Sequence, residues 1–199
     1  MPADFIFLAS GSPRRRELLL QIGVSARLLE VAVDETAALS EEPSSYVLRL
    51  ACAKAEAGWS CRDAATGAAV LAADTAVIID DSILGKPQDR SAGMAMLKRL
   101  SGRSHQVLTA VALRSGDGVE SRISRSVVSF REIGAAEAGT YWDTGEPCDK
   151  AGGYGIQGLG AVFVAELHGS YSGVMGLPLF ETAQLLDAAD VPRWKRKAP

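Results

Sequence analysis

Asp74 stands inside Val70-Leu71-Ala72-Ala73-Asp74-Thr75-Ala76-Val77-Ile78-Ile79, the most apolar run of the chain. A buried carboxylate without a partner is costly. Asp74 must therefore either lie at a strand end facing a polar cleft or meet a cation, and acids so placed serve as general bases or metal ligands. The plainer alternative is an aspartate capping a turn, but the run around it contains no turn residues. A second candidate is Ser10-Gly11-Ser12-Pro13-Arg14-Arg15-Arg16, where small residues lead into a helix that opens on three arginines. The unpaired N–H groups of a helix start favour an anion, and cations are unfavourable there, unless something strongly negative binds between them. A surface helix whose arginines pair with Glu17 and nearby acids explains the same residues equally well.

Lys54 follows Val47, Leu50 and Ala51 at helical spacing. Its side chain either snorkels outward along the core edge or reaches the cleft that holds Asp74. Lys86, before Pro87, is a loop-edge cation with the same two readings. Glu35, in Val33-Asp34-Glu35-Thr36, could join Asp74 around a divalent ion, since such ions prefer oxygen ligands. Gly153-Tyr154-Gly155-Ile156-Gln157-Gly158 matches the dinucleotide fingerprint by letter. That fingerprint needs a strand before it and a helix after it; here loop residues precede and a strand-like run follows, so the glycines are read as letting backbone come close to a ligand or another strand. His105 heads an apolar strand and His168 sits in a turn, and neither has the setting of a triad histidine.

The elements that must position these residues alternate. Short apolar runs at 5–9, 26–33 and 70–79 read as strands, and helical spacing marks 13–22, 43–57 and a stretch after Lys86-Pro87. Runs 105–113 and 121–130, separated by Ser115-Gly116-Asp117-Gly118, read as a hairpin. A short helix at 135–142, a glycine-rich stretch at 152–160, a strand at 162–167 and a helix at 179–189 complete the chain. This pattern predicts an α/β fold on a mixed sheet, in one domain spanning 1–199. The basic run Arg193-Trp194-Lys195-Arg196-Lys197, within a tail of about 191–199, reads as a solvated, frayed terminus.

Composition narrows the function classes. With 199 residues, 47% hydrophobic and 23% charged, the chain can build a real core. A net charge of -3 argues against a nucleic-acid binder acting through bulk positive charge. Three cysteines, none in a C-x-x-C pair, predict neither a disulfide framework nor structural zinc, and point to a reduced, cytoplasmic setting. No signal peptide or membrane span is read from the N-terminal apolar run.

Taken in order, Leu8 to Arg15, Ala73-Asp74-Thr75, Gly85-Lys86-Pro87 and Asp149 to Gly158 resemble the Maf family of house-cleaning nucleotide pyrophosphatases, over nearly the whole chain from Phe5 to about Leu186. The resemblance implies a mixed curved sheet flanked by helices, two-lobed with a central cleft, similar to the inosine triphosphate pyrophosphatase fold. It implies that Asp74 is the general base or the metal-site acid, with Glu35 the second acid of the metal site. It implies that Ser10, Arg14, Arg15, Lys54 and Lys86 line the triphosphate. Arg14, Thr75 and Gln157 match the dTTP/UTP branch, where a 7-methyl-GTP branch has tryptophan, glutamine and glutamate. The expected reaction releases pyrophosphate from dTTP or UTP and leaves the monophosphate, with Mg²⁺ or Mn²⁺ as cofactor. A nucleoside triphosphate is then the partner, without a stable nucleic-acid complex or membrane association, and the family often forms homodimers. The rival class is a nucleotide-binding regulator of septum formation, though a pure binding module has no need for Asp74 inside an apolar strand.

Overall fold

A computed structural model describes residues 4–194. Its elements are β1 (Ile6–Leu8), α1 (Pro13–Gln21), β2 (Ala26–Leu28), α2 (Pro43–Cys61), β3 (Val70–Ile79), β4 (Ser82–Leu84), α3 (Arg90–Leu100), β5 (Ser104–Ser115), β6 (Gly118–Phe130), α4 (Ala135–Asp143), β7 (Val164–His168), α5 (Tyr171–Met175) and α6 (Leu179–Ala188). The strands form one mixed, open sheet in the order β2-β1-β3-β5-β6-β7, with β4 paired to β3 off that path. β1 runs parallel to both β2 and β3, while β4 is antiparallel to β3 and β7 antiparallel to β6.

By its contacts the chain divides into two compact units. Among the described residues, the first comprises 4–74, 109–124 and 176–194, and the second comprises 75–108 and 125–175. In the first unit, β1 is wholly buried and Val70 to Ala73 are buried beside it. Their alanine and β-branched residues suit a strand covered on both faces. α1 opens with Pro13 at its first position, where a missing N–H costs nothing, and Gly23 follows it at φ +73. α2 buries Val47, Leu50, Ala51, Ala55 and Gly58 on one face.

In the second unit, Asp89 caps α3 by accepting from the Ala92 N–H at 2.8 Å. The turn joining β3 to β4 consists of Asp80 and Asp81, at φ +50 and +55. Positive φ at both central residues is the type I′ requirement of a two-residue hairpin. Arg103 grips the Asp80 carboxylate through both terminal nitrogens, and Arg99 donates to the Ile79 carbonyl at 3.2 Å. His105, on β5, is buried against Phe130 and Tyr154, both edge-on to its ring.

Three expectations need correction. The strand read at 26–33 ends at Leu28, because β1 offers three residues and pairs Ala26 to Leu28 one for one. The hairpin strands β5 and β6 extend to Ser115 and Gly118, leaving only Gly116-Asp117 as the connection. Arg193 is not frayed: its guanidinium holds both Asp187 oxygens at 2.6 and 2.7 Å, and the Trp194 N–H donates to the Ile22 carbonyl at 2.9 Å. The remainder of that basic run, Lys195-Arg196-Lys197, lies outside the described residues. No helix among the described residues is long and apolar enough to cross a membrane.

Candidate functional site

In the first unit, β1 ends at Leu8, and Ala9 leads on to Ser10 at the mouth of α1. The Ser10 hydroxyl accepts from the Ser12 N–H at 3.2 Å and from Arg15 Nη1 at 3.0 Å. Arg15 is locked further by donating Nε to the Gly176 carbonyl at 2.7 Å. These two bonds fix the guanidinium at the mouth of α1. Burial lowers the Arg15 pKa, and the negative charges of Asp74 and Glu35 oppose that pull. Arg14 is half-buried one residue earlier, and its charge reinforces the lowering.

Asp74, only 8% exposed, accepts from Lys54 Nζ on Oδ1 at 2.7 Å. The same ammonium lies 2.6 Å from Glu35 Oε1. Lys54 is thus the cation that the buried aspartate required, and its side chain is turned inward from the α2 core face rather than outward to solvent. Burial raises the Asp74 carboxyl above the usual aspartate range, and Lys54, followed by Arg15, works against that rise. Glu35 and Asp74 converge on the Lys54 ammonium from an exposed loop and a buried strand. Among the described residues, no set of three or more His, Cys, Asp or Glu side chains gathers as a metal cage.

The loop carrying Glu35 is irregular but held. Tyr46 donates its hydroxyl to the Glu35 carbonyl at 3.0 Å, and Arg49 donates to the Thr36 carbonyl at 3.2 Å. Arg49 also forks onto Glu41 with two bonds of 2.7 Å. Those bonds, joined by one from the Ala38 N–H, bring the Glu41 carboxyl down to about 2. Tyr46 and Arg49 escaped the sequence reading because they act on backbone carbonyls. Their i, i+3 spacing on α2 is the one signal that places both on the face toward this loop.

The remaining candidates belong to the second unit. Thr75 follows Asp74 in β3 and is partly exposed. Lys86 is exposed between β4 and α3, and the preceding Gly85 carbonyl accepts from the Gly152 N–H at 3.0 Å. That bond ties the Lys86 loop to the glycine-rich run. Gln157 is exposed in the turn Gly155–Gly158, closed by a Gly158 N–H to Gly155 carbonyl bond of 3.3 Å. Ile156 beside it is buried. The glycines here do not form a strand–helix phosphate loop: 3-10 turns at 146–149, 151–153 and 159–163 surround them. His105 and His168 stay outside the cluster. The former shares a 2.8 Å hydrogen bond with the Tyr154 hydroxyl, and the latter faces Glu166 in solvent.

Against known proteins, the family described as Maf-like protein matches residues 5–189. A protein of Saccharophagus degradans named dTTP/UTP pyrophosphatase is 56% identical over 197 residues, covering 98% of this chain and 93% of that protein. One of the same name from Alkalilimnicola ehrlichii is 53% identical, covering 94% and 93%. Among solved structures, a nucleoside-triphosphatase / dITP/XTP pyrophosphatase from Mycobacterium abscessus aligns with a TM-score of 0.45 at 20% identity, covering 92% of this chain and 93% of that one.

Proposed function

We propose that this chain, which belongs to the Maf-like protein family, hydrolyses dTTP and UTP to the nucleoside monophosphate and pyrophosphate. The observation that carries the reading is a single arrangement: a buried aspartate held on one oxygen by Lys54, with the locked Arg15 as a second positive charge acting on it. It occurs in a chain matched almost end to end by proteins named for that activity.

In this reading Asp74 and Glu35 would hold a divalent ion, Mg²⁺ or Mn²⁺. The donors are of the right chemistry: both acids offer oxygens only and both lie against the same Lys54 ammonium, and Mg²⁺ is commonly held by one or two carboxylates plus substrate phosphates and waters. When bound, such an ion polarises a phosphate and lowers the pKa of a water. The chain's own residues do the rest. Lys54 occupies Oδ1 of Asp74, so Oδ2 is the oxygen that orients the attacking water and receives its proton. The water oxygen bonds to the α-phosphorus, the bond from that phosphorus to the bridging oxygen breaks, and pyrophosphate leaves with the electron pair. Ser10, Arg14, Arg15, Lys54 and Lys86 take the phosphates and offset the charge that develops on the leaving group. Thr75 and Gln157 meet the base, where the Gln157 amide offers uracil or thymine both a donor and an acceptor. Free nucleotides rather than nucleic acid, a cytoplasmic setting and one catalytic domain over 1–199 belong to the same reading.

The test is the product. dTTP incubated with the protein and Mg²⁺ or Mn²⁺, followed by phosphorus NMR, is expected to give dTMP and pyrophosphate, and EDTA to stop the reaction. dTDP and orthophosphate as first products overturn the assignment.

A further inference from the structure

The turn that presents Gln157 is held at both ends by two side chains that no motif singled out. Glu146, at the head of the 3-10 turn Glu146–Asp149, accepts from the Leu159 N–H on Oε2 at 2.7 Å and from the Gly160 N–H on Oε1 at 2.9 Å. Tyr141, buried in α4 with its ring edge-on to Phe163, donates its hydroxyl to Glu146 Oε1 at 2.7 Å. The same hydroxyl accepts from the Gly155 N–H at 3.1 Å. The start of the turn thus rests on Tyr141 and its exit on Glu146, with the two joined to each other. Lys150 steadies the carboxylate's own backbone by donating to the Glu146 carbonyl at 2.8 Å.

The glycines make room for this clasp. A Cβ at Gly158 would lie 2.1 Å from Glu146 Oε2, and one at Gly160 would lie 2.6 Å from the Tyr141 hydroxyl oxygen. Burial alone would raise the Glu146 carboxyl, but the Gly160 and Leu159 N–H groups and the Tyr141 hydroxyl outweigh it and leave it below its ordinary value. Glu146 is therefore a charged acceptor with its lone pairs committed to the turn, and charge-assisted bonds of this kind are the stronger ones.

We infer that Glu146, acting with Tyr141, is a positioning residue for substrate choice: its carboxylate fixes the turn from Gly155 to Gly158 and so sets the direction in which Gln157 meets the base. Neither side chain touches substrate in this account; both act through Gln157. The inference rests on the reading that Gln157 contacts the base of dTTP or UTP.

Three variants test it. Glu146→Gln keeps the shape but turns an amide N–H toward one of the turn's donors. Tyr141→Phe keeps the ring and removes the oxygen. Gly158→Ala puts a methyl where the carboxylate sits. For each, kcat and KM are measured with dTTP, UTP and GTP beside a thermal melt. A displaced Gln157 is expected to raise KM for dTTP and UTP by about tenfold, as for a lost base-reading hydrogen bond, with KM for GTP unmoved. The preference for dTTP over GTP then falls by the same factor. A purely structural role gives a different pattern, since a smaller folded fraction lowers apparent kcat equally for all three nucleotides and leaves every KM in place. That pattern, or an unchanged preference in the folded variants, overturns the inference. If Glu146→Gln does not fold, Tyr141→Phe, which deletes one atom from an intact ring, carries the decision. A wild type that hydrolyses dTTP no better than GTP overturns the reading of Gln157 itself, before any variant is made.

Discussion

Along β3 the neighbours of Asp74 are Ala72, Ala73, Thr75 and Ala76, so its charge is balanced by what α2 and α1 bring to it. A carboxyl whose folded pKa is raised contributes its stability below the ordinary aspartate value and loses it as pH rises through the folded value. Burial therefore makes the charged form costlier than it is in water, and Lys54 and Arg15 offset part of that cost. Asp74→Asn relieves that burden and leaves Lys54 its contact with Glu35. The variant is expected to melt no lower than wild type at pH 7, while kcat on dTTP falls by ~10²–10⁴-fold as for a lost general base. A folded Asp74→Asn protein with near wild-type turnover would place the catalytic carboxylate elsewhere, with Glu35 next. At this scale, the residues that showed in the sequence are those that break a local rule. Asp74 is an acid in an apolar run, Lys54 a cation on a core face, and Arg14 and Arg15 cations at a helix start. Tyr46, Arg49, Tyr141 and Glu146 break no rule. Each sits where its residue type is ordinary, and only the fold shows the backbone groups they hold.

Among the elements, those set by local periodicity and capping were read nearly right: β3, α4 and α6 begin and end within a few residues of expectation, and α3 follows Lys86-Pro87 as expected. The elements that went wrong depend on a partner. β2 stops where β1 stops, and β4 and α5 are too short to leave a periodic signature. β5 also carries a titratable group whose effect is readable as stability. His105 is 3% exposed, its Nδ1 has no hydrogen-bond partner, and burial lowers its pKa to about 4. Between pH 6.5 and that value the unfolded chain binds a proton that the folded one refuses, so the contribution is present at neutral pH and lost as pH falls through the window. At full expression the loss is about 3 kcal/mol. Urea melts at pH 7 and pH 4.5 are expected to show wild type losing more stability than His105→Gln, which keeps a polar partner for Tyr154 but does not titrate. Equal losses would show that His105 is not the group responsible.

For the whole molecule, the sequence pattern of alternating strands and helices predicted a mixed sheet, and one mixed seven-stranded sheet is found. Two lobes were implied by the family resemblance alone; which residues belong to which compact unit was not legible, because the chain changes unit inside β3, β5 and β6, within runs that read as unbroken strands, and returns to the first unit only at Gly176. Membership is decided by contacts distant in sequence, which no window of neighbouring residues contains. The turn at Asp80-Asp81 bears on the stability margin of the molecule as a whole. Asp80 is repaid for its left-handed backbone by Arg103 and Arg99, whereas Asp81, at φ +55, is exposed and sets a second carboxylate beside the first. A left-handed conformation costs a side-chain-bearing residue about 1 kcal/mol that glycine does not incur. Asp81→Gly is therefore expected to raise the urea midpoint with kcat and KM on dTTP unchanged, and a lower midpoint would show that Asp81 has a use of its own. The wild-type hairpin thus holds an unclaimed reserve, a place where the protein can be hardened for heat or storage with a single codon and no change to any residue of the proposed site.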